Sequence, residues 1–350
     1  MTFARAVVTF SEPVTRLRKN PLIETITDNT HILKGGWANG LIFVPDPSMN
    51  KCVIIDPGIS KDLERQFRAG YVRRIRAALS EVLNAGDTGT MLRIVSEKLS
   101  VTGTRLQLLR DLNKHMDSHD IVREPHDGIF AERVAQITGL IERTGLEVDA
   151  ILATHHHIDH FGSAAILRDR LGVKEKILMP DPGIFEGLST SRRGDLWVVN
   201  QASNSQPVGG IEKFGIRAVD ISGHTTMLGF LFPDNVLLVG DLVATENLWE
   251  HTVMYIEDVL RHSESLMRVL ETPFQTMVLS HGTSYVVPHE QSMDLVRVNL
   301  DRVSAVRGIA WQYAHPIEAA DVYLQSMKQE LSPNYLGWVL VTAMSIGNYR

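Results

Sequence analysis

Imidazole and carboxylate side chains are concentrated in one short segment near the middle of the chain, Thr154–His160, which reads THHHIDH. His155 and His157 are two residues apart, so in an extended turn both can face one point. Asp159 and His160 follow closely and can face a second point nearby. Together, imidazole and carboxylate suit zinc, iron or manganese far better than calcium or magnesium. The segment is internal and follows an apolar run, unlike an expression tag, so it predicts a metal site.

The histidine segment lies between a predicted strand and a predicted helix. Residues Val148–Ala153 are apolar and β-branched at their centre, which is typical of a buried strand. A helix is predicted to begin near Gly162. The reactive side chains therefore belong to a strand-to-helix turn.

Three later predicted strands also end in residues that can bind a metal. These strands cover residues 216–219, 236–239 (the second arm of a hairpin whose first arm covers 228–232) and 276–279. The residues that follow them are His224, Asp241 and His281. One histidine after a strand is usually an ordinary turn residue, but ligand types after four strands are hard to explain by chance. We therefore expect the four strand ends to converge.

An acidic residue, Asp56, ends a further strand nearer the N-terminus. Strand signals at 30–34, 41–44 and 52–55 are separated by turn-forming residues, and the last leads into Asp56-Pro57-Gly58. In layered α/β folds, sites gather at the carboxyl ends of strands. Asp56 is therefore expected to lie near the metal site.

Helical patterns flank this central part of the chain. We predict a sandwich domain from residues 1–58 and 128–288, a helical insertion at 59–127 that could cap the site, and a helical C-terminal extension at 289–350. The first insertion helix carries several arginines, explained by a solvated face, with docking of an anionic substrate tail as the alternative. They are Arg65, Arg68, Arg73, Arg74 and Arg76.

Composition limits the classes of function. The 350 residues are 44% hydrophobic and 22% charged, as in ordinary globular proteins. A formal net charge of -6 argues against general nucleic-acid binding. The single cysteine, Cys52, lies in a strand-like run and excludes an intrachain disulfide, which fits a reducing compartment. No signal peptide or span of membrane length is recognised, so we expect a cytoplasmic protein without membrane or nucleic-acid partners.

The order of these motifs resembles that of the metallo-β-lactamase superfamily. The matching segments are Ile55–Gly58, Thr154–His160, Ser222–Thr225, Val239–Asp241 and Leu279–Gly282. The resemblance implies the α/β class and a four-layer αββα sandwich, with two mixed sheets face to face and a dinuclear metal site at one edge.

The resemblance also implies a role for each matching residue. The first metal would be held by His155, His157 and His224. The second would be held by Asp159, His160 and His281. Asp241 would bridge the two metals, and Asp56 would lie behind the second one and orient a ligand histidine. Zinc is favoured, with iron or manganese as alternatives.

The proposed chemistry is hydrolysis. Two zinc ions lower the pKa of a shared water towards 7, and the resulting hydroxide can attack an electrophilic centre. Asp159 would assist proton transfer, so Asp159 and Asp241 are the predicted catalytic residues. The histidine loop departs from the family, in which Pro-Gly often follows; here Thr225 is followed by Thr226-Met227. That difference leaves the shape of the adjoining pocket open.

The favoured function is cleavage of an ester-type bond, a thioester or a lactone, as in the glyoxalase-II-like and lactonase-like branches. Its partner would be a small acyl or lactone substrate, and a homodimer is left open. Three alternatives remain: a phosphodiesterase, a diiron oxidoreductase on the same ligands, and a regulatory binding protein with residual hydrolase activity. Secreted β-lactamases commonly use a cysteine ligand that this chain lacks, so antibiotic hydrolysis is disfavoured.

Overall fold

The structure is a computed structural model of the 350-residue chain. It describes residues 10–61, 127–184, 204–245, 253–282, 285–313, 316–326, 342 and 345–349. Nearly all of the predicted insertion, including the five arginines of its first predicted helix, lies outside the described residues. The proposed cap role and the three domain boundaries therefore stay predictions.

The first sheet contains seven strands that follow one another in chain order. They are β1 (Ile23–Thr25), β2 (Thr30–Leu33), β3 (Gly40–Phe43), β4 (Lys51–Ile55), β5 (Glu147–Leu152), β6 (Ile177–Met179) and β7 (Ser205–Pro207). Pairing is antiparallel from β1 to β4 and parallel from β4 to β7. Because β4 and β5 are parallel neighbours, Asp56 and the histidine segment emerge at the same sheet edge.

The second sheet contains five strands in the order β12-β11-β10-β9-β8. Their bounds are β8 (Arg217–Asp220), β9 (Leu228–Leu231), β10 (Val236–Leu238), β11 (Thr276–Val278) and β12 (Val286–Pro288). β10 and β11 are parallel, whereas the other pairs are antiparallel. The parallel pair delivers Asp241 and His281 to the same edge.

Helices cover the outer faces of both sheets. The α-helices are α1 (Glu12–Arg18), α2 (Asp127–Thr144), α3 (Ile158–Phe161), α4 (Ala164–Arg170), α5 (Val259–Glu271), α6 (His289–Gln312) and α7 (Pro316–Ser326). Short 3-10 helices span Ile211–Phe214 and Gly347–Tyr349. α1, α2 and α4 lie on the first sheet, and α5, α6 and α7 on the second.

The strands alternate between two cores, as the period of two in a strand requires. In β4, Cys52 and Ile54 pack under the helices of the first sheet. Val53 and Ile55 face the other way, into the core between the sheets. Burial raises the pKa of the Cys52 thiol far above its usual value, consistent with a structural core residue. The four-layer αββα sandwich implied by the resemblance is confirmed.

The C-terminal helices belong to the outer layer of the second sheet. Val296, Val303 and Val306 of α6 are buried in the same cluster as Leu266 of α5 and Tyr349. The predicted extension therefore shares its core with the sandwich.

Helix α1 was missed in the sequence, where the first 25 residues carry no clear periodicity. Ser11 caps it by accepting a hydrogen bond from the Val14 amide, and proline lies in its first turn. Only Val14 and Leu17 are buried in this short helix, too few to form a recognisable apolar stripe. No helix in the described part of the chain combines the length and apolar composition needed to cross a bilayer.

Candidate metal centre

The structure brings all seven predicted ligands together at one edge of the sandwich. They form two groups in which potential ligand atoms lie within 4.8 Å of one another. The first group is His155, His157, His224 and Asp241. The second group is Asp159, His160, Asp241 and His281. Asp241 is common to both, the position that the sequence assigned to a bridging carboxylate.

The turn after β5 supplies four of these side chains. β5 ends at Leu152, and His157 is the residue that caps helix α3 with an extended backbone. The single turn of α3 then brings Asp159 and His160 towards the site. The rings of His155 and His160 come within 4.1 Å between centroids. A strand followed at once by one helical turn thus gathers ligands that are adjacent in sequence.

Asp56 anchors this turn from the neighbouring strand. Its buried carboxylate accepts hydrogen bonds from the Thr154 amide (2.7 Å), the Thr154 hydroxyl (2.8 Å) and Nδ1 of His160 (2.9 Å). A carboxylate only accepts, so Nδ1 of His160 carries the proton and is the donor. The backbone of Asp56 has φ of 48°, a conformation rare outside glycine and often found at functional sites.

Thr154 links Asp56 to a second histidine, His155, and orients its ring. Its hydroxyl donates to Asp56 and lies 3.0 Å from Nδ1 of His155, from which it can accept. This arrangement keeps the Nδ1 proton on His155 and leaves its Nε2 with a free electron pair. No role for Thr154 was predicted from the sequence, although Thr154 lies at the strand end, directly before His155.

His224 is oriented by a backbone carbonyl. Its Nδ1 donates to the carbonyl oxygen of Tyr255 at 2.5 Å, and its Nε2 lies 3.1 Å from Nδ1 of His157. The preceding Gly223 allows α5 to approach closely, since a Cβ there would lie 2.3 Å from Cα of His262. The contribution of Tyr255 was missed because it comes from the backbone, which no residue type signals.

Asp241 lies at the centre of the site. One carboxylate oxygen is 3.5 Å from Nε2 of His224 and 3.7 Å from Nε2 of His155. The other is 3.1 Å from Nε2 of His160 and 3.2 Å from Nε2 of His281. Each oxygen therefore faces one group of histidines, an arrangement that suits a carboxylate shared by two cations.

Buried atoms without hydrogen-bond partners show that a cation fits. They are Nε2 of His155, Nε2 of His160 and one oxygen of Asp241. Leaving buried polar atoms unpaired costs about 1–3 kcal/mol each, and all three point towards the space that the two groups enclose. Nitrogen and carboxylate oxygen are the donors that zinc, iron and manganese accept.

The first group is electrically suited to bind a cation because its histidines stay neutral. Burial lowers the pKa of His157 to about 3. Burial and the neighbouring imidazoles hold the pKa of His155 well below its usual value. Burial also lowers the pKa of His224, against the charge of Asp241. Neutral imidazoles are the form that coordinates metals.

The second group instead attracts positive charge. Burial opposes protonation of His160, but the carboxylates of Asp241 and Asp159 raise its pKa well above the usual value. Burial likewise opposes protonation of His281, and Asp241 raises its pKa to about 10. The same two histidines hold the pKa of Asp241 well below its usual value against the effect of burial. Such a pocket favours a cation, which can replace the bound protons.

A buried arginine supports the loop that contains Asp56. Arg133 of α2 is fully buried and donates to the carbonyl oxygens of Pro57 (2.8 Å), Lys34 (2.8 Å) and Leu33 (3.3 Å). Burial lowers its pKa to about 10, so the guanidinium remains charged at neutral pH. It joins α2 to both the β2–β3 turn and the Asp56 loop.

Two described histidines outside the two groups lie near the site, His156 and His262. His156, which the sequence analysis left out of the ligand set, belongs to neither group. His262 of α5 is buried against the Gly223 turn and both of its ring nitrogens lack partners.

The seven proposed ligand roles and the catalytic roles of Asp159 and Asp241 stay predictions, whereas their convergence is observed.

Comparison with known proteins identifies the family of the central segment. Residues 125–281 match the family model described as the metallo-beta-lactamase superfamily. That segment contains all seven candidate ligands, and Asp56 lies before it. No curated protein matches the chain.

Solved structures similar to this chain include several with the same fold. A metallo-beta-lactamase from Pontibacter korlensis is 13% identical, with a TM-score of 0.45 over 80% of this chain and 97% of that chain. A metallo-beta-lactamase family protein from Thermus thermophilus is 14% identical, with a TM-score of 0.43 over 63% and 80%. An archaeal superfamily protein from Sulfolobus tokodaii is 20% identical, with a TM-score of 0.35 over 57% and 80%. These similarities carry no information on substrate.

Proposed function

Since residues 125–281 belong to the metallo-β-lactamase superfamily, we propose that this protein is a metal-dependent hydrolase of an ester-type bond, a thioester or a lactone. The superfamily and the cluster of histidine and aspartate residues support a metal-dependent hydrolase. The type of bond, and membership of a glyoxalase-II-like or lactonase-like branch, are the proposed refinement.

The observation that carries the proposal is the position of Asp241 between two complete ligand groups. Two like charges held close together need anionic charge between them, and a shared carboxylate supplies it. Divalent cations bound there acidify water and withdraw electrons from a carbonyl oxygen. We propose zinc for both positions, with iron or manganese as alternatives on the same donors.

The side chains of the site provide the remaining steps. Asp159 lies 3.2 Å from Nε2 of His281 and is mostly buried, at the edge of the second group. In the proposed reaction its carboxylate accepts a proton from the attacking water and passes it to the leaving thiolate or alkoxide. The carbon–sulfur or carbon–oxygen bond breaks as the new carbon–oxygen bond forms. Histidines held by Asp56, Thr154 and Tyr255 need little rearrangement during this exchange.

The charge around the site favours an acyl substrate over a phosphodiester. Burial lowers the pKa of His156, against the charges of Glu257 and Asp181. These carboxylates give the rim beside the first group an acidic character within the described residues. An acidic rim repels the permanent charge of a phosphodiester but accepts a neutral ester. We therefore propose a small acyl or lactone substrate and a cytoplasmic enzyme, without nucleic-acid or membrane partners.

The test is a substrate screen with matched variants. Full-length protein loaded with zinc, manganese or iron should hydrolyse uncharged acyl thioesters, such as N-acetylcysteamine thioesters, or lactones faster than bis(p-nitrophenyl) phosphate. Asp241→Asn should reduce turnover at least ~100-fold, because it weakens the charge shared by both groups. Asp149→Asn, which removes a carboxylate that pairs with Lys51 on the same sheet, should leave turnover unchanged.

Three results would contradict this function. Equal turnover in wild type and Asp241→Asn would show that the reaction does not need the bridging carboxylate. Phosphodiester cleavage without ester cleavage would establish the alternative chemistry, and oxygen consumption by the iron-loaded protein would indicate an oxidoreductase.

A further inference from the structure

His281 has fewer described hydrogen bonds than three of the other histidines of the site. Its side chain is 39% exposed, whereas those of His155 and His160 are fully buried. Three of the other histidines have an Nδ1 partner on the opposite side from the site. These pairs are His155 with Thr154, His160 with Asp56, and His224 with the Tyr255 carbonyl. No described residue forms a hydrogen bond with Nδ1 of His281. Among the described residues, its ring is held by the ion pairs of Nε2 with Asp159 and Asp241 and by the backbone that leads into it.

The backbone before His281 is clamped by one residue of the other sheet. The amide N–H of Asn39 donates to the carbonyl oxygen of Ser280 at 2.7 Å. Its side-chain Nδ2 donates to the carbonyl oxygen of Leu279 at 3.2 Å. Asn39 precedes β3 in the first sheet, and Ser280 follows the end of β11 in the second. Asn39 is buried and thus links the sheets directly behind a candidate ligand.

The same turn also contacts the loop that holds His160. Gly40 follows Asn39, and a Cβ at Gly40 would lie 2.5 Å from the carbonyl oxygen of Asp56. The amide of Trp37 donates to the carbonyl oxygen of Ile59 at 2.9 Å, on the far side of that loop. The β2–β3 turn is therefore packed against both chain segments that deliver histidines to the second group.

We propose that Asn39 is a positioning residue that sets the affinity of the second metal position by fixing His281. This inference rests on the metal centre of the proposed function. A metal ligand must be held within about 0.5 Å of its working geometry, and His281 has no other described anchor beyond its ion pairs. None of the first-group histidines follows a segment that Asn39 contacts. Loss of the Asn39 side-chain amide should therefore lower the affinity for a cation at the second position and leave the affinity at the first position unchanged.

The experiment is a metal titration of the full-length chain. Metal-free wild type, Asn39→Leu and Asn29→Leu are titrated with zinc against a chromophoric chelator, and thermal unfolding of each metal-free protein is recorded. Leucine has the same number and branching of side-chain heavy atoms as asparagine but donates no hydrogen bond. Asn29 is the matched control, because its Nδ2 also donates to two carbonyl oxygens, of Val44 (2.8 Å) and Pro45 (3.2 Å), at the other end of the same hairpin.

The expected result is selective. Wild type and Asn29→Leu bind two zinc ions, and Asn39→Leu loses ~10–100-fold in the affinity of one ion only, the usual effect of removing a group that supports a ligand. An equal fall in both affinities, or no fall, would overturn the inference. If Asn39→Leu does not fold, the smaller Asn39→Ala is used for the same comparison.

This experiment distinguishes the inference from the proposed function. A selective loss in a protein that hydrolyses no ester would support the role of Asn39 and refute the ester hydrolase. A wild-type chain that binds fewer than two zinc ions would overturn the inference.

Discussion

Replacing Asp56 by asparagine should disable two metal ligands by moving their protons. The Asp56 carboxylate accepts from the Thr154 amide, the Thr154 hydroxyl and Nδ1 of His160. In Asp56→Asn one oxygen becomes an NH₂ group. The Thr154 amide can only donate, so it keeps the remaining oxygen, and the NH₂ faces Nδ1 of His160 and the Thr154 hydroxyl.

Both of those partners must then reverse their roles. Nδ1 of His160 becomes an acceptor, so its proton moves to Nε2, the atom that faces Asp241. The Thr154 hydroxyl now accepts from the new amide and donates to Nδ1 of His155, which moves that proton to Nε2 as well. A protonated Nε2 cannot coordinate a metal. Removing one supporting group typically costs ~10–100-fold in metal affinity, so two affected ligands correspond to ~10²–10⁴-fold, or about 3–6 kcal/mol.

The assay is zinc competition against a chromophoric chelator, with ¹⁵N chemical shifts of the imidazole nitrogens reporting the protonated atom. Asp149→Asn is the control, since Asp149 pairs only with Lys51 among the described residues. Zinc affinity of Asp56→Asn within about twofold of wild type, with unchanged nitrogen shifts, would refute this explanation.

Three further substitutions test other parts of the structure. Arg133→Met leaves three carbonyl oxygens, two of them buried, without their arginine donor and should cost about 3 kcal/mol in urea unfolding. A loss no larger than that in the exposed Arg297→Met would count against this role of Arg133. Gly58→Ala places a Cβ 2.1 Å from the Asp159 carbonyl oxygen at φ of +60° and should lower both the unfolding temperature and the zinc affinity. Gly172→Ala is the control, since Gly172 has a similar φ of +67° but open space around it, and should cost only about 1 kcal/mol. Equal effects of the two substitutions would contradict the close approach of Gly58 to Asp159. Burial lowers the pKa of His262 to about 3, so as pH falls below 6.5 the unfolded chain binds a proton at His262 before the folded protein does, and the free energy of unfolding decreases. Between pH 7 and 5, wild type should lose about 2 kcal/mol more than His262→Leu. Parallel stability curves for the two metal-free proteins would exclude this contribution of His262.

Much of the fold and site could be predicted because residues of metal-ligand type follow directly after the apolar strands. The alternation in β4 and the apolar centre of β5 place Asp56 and His155 at one sheet edge, since parallel neighbours end together. The same logic locates Asp241 and His281. Residue type and position therefore contain the information for the candidate ligands.

The remaining features depend on contacts that residue types do not encode. Tyr255 orients His224 through its carbonyl oxygen, which every residue possesses. Asn39 resembles an ordinary turn residue until the two sheets are packed face to face and its amide meets Leu279. Strands β6, β7 and β12 were not predicted from the sequence; they have three residues each, but so do β10 and β11, which were predicted. Long-range packing, rather than local pattern, determines all three cases.

The most direct test of the metal centre is anomalous diffraction at the zinc absorption edge, from crystals of the full-length protein grown with zinc. The structure predicts two anomalous peaks, one beside His155, His157 and His224 and one beside Asp159, His160 and His281. Ligand distances should be about 2.0–2.2 Å, with Asp241 in contact with both peaks. A site without anomalous density under metal-replete conditions, its histidine nitrogens turned apart, would contradict the account.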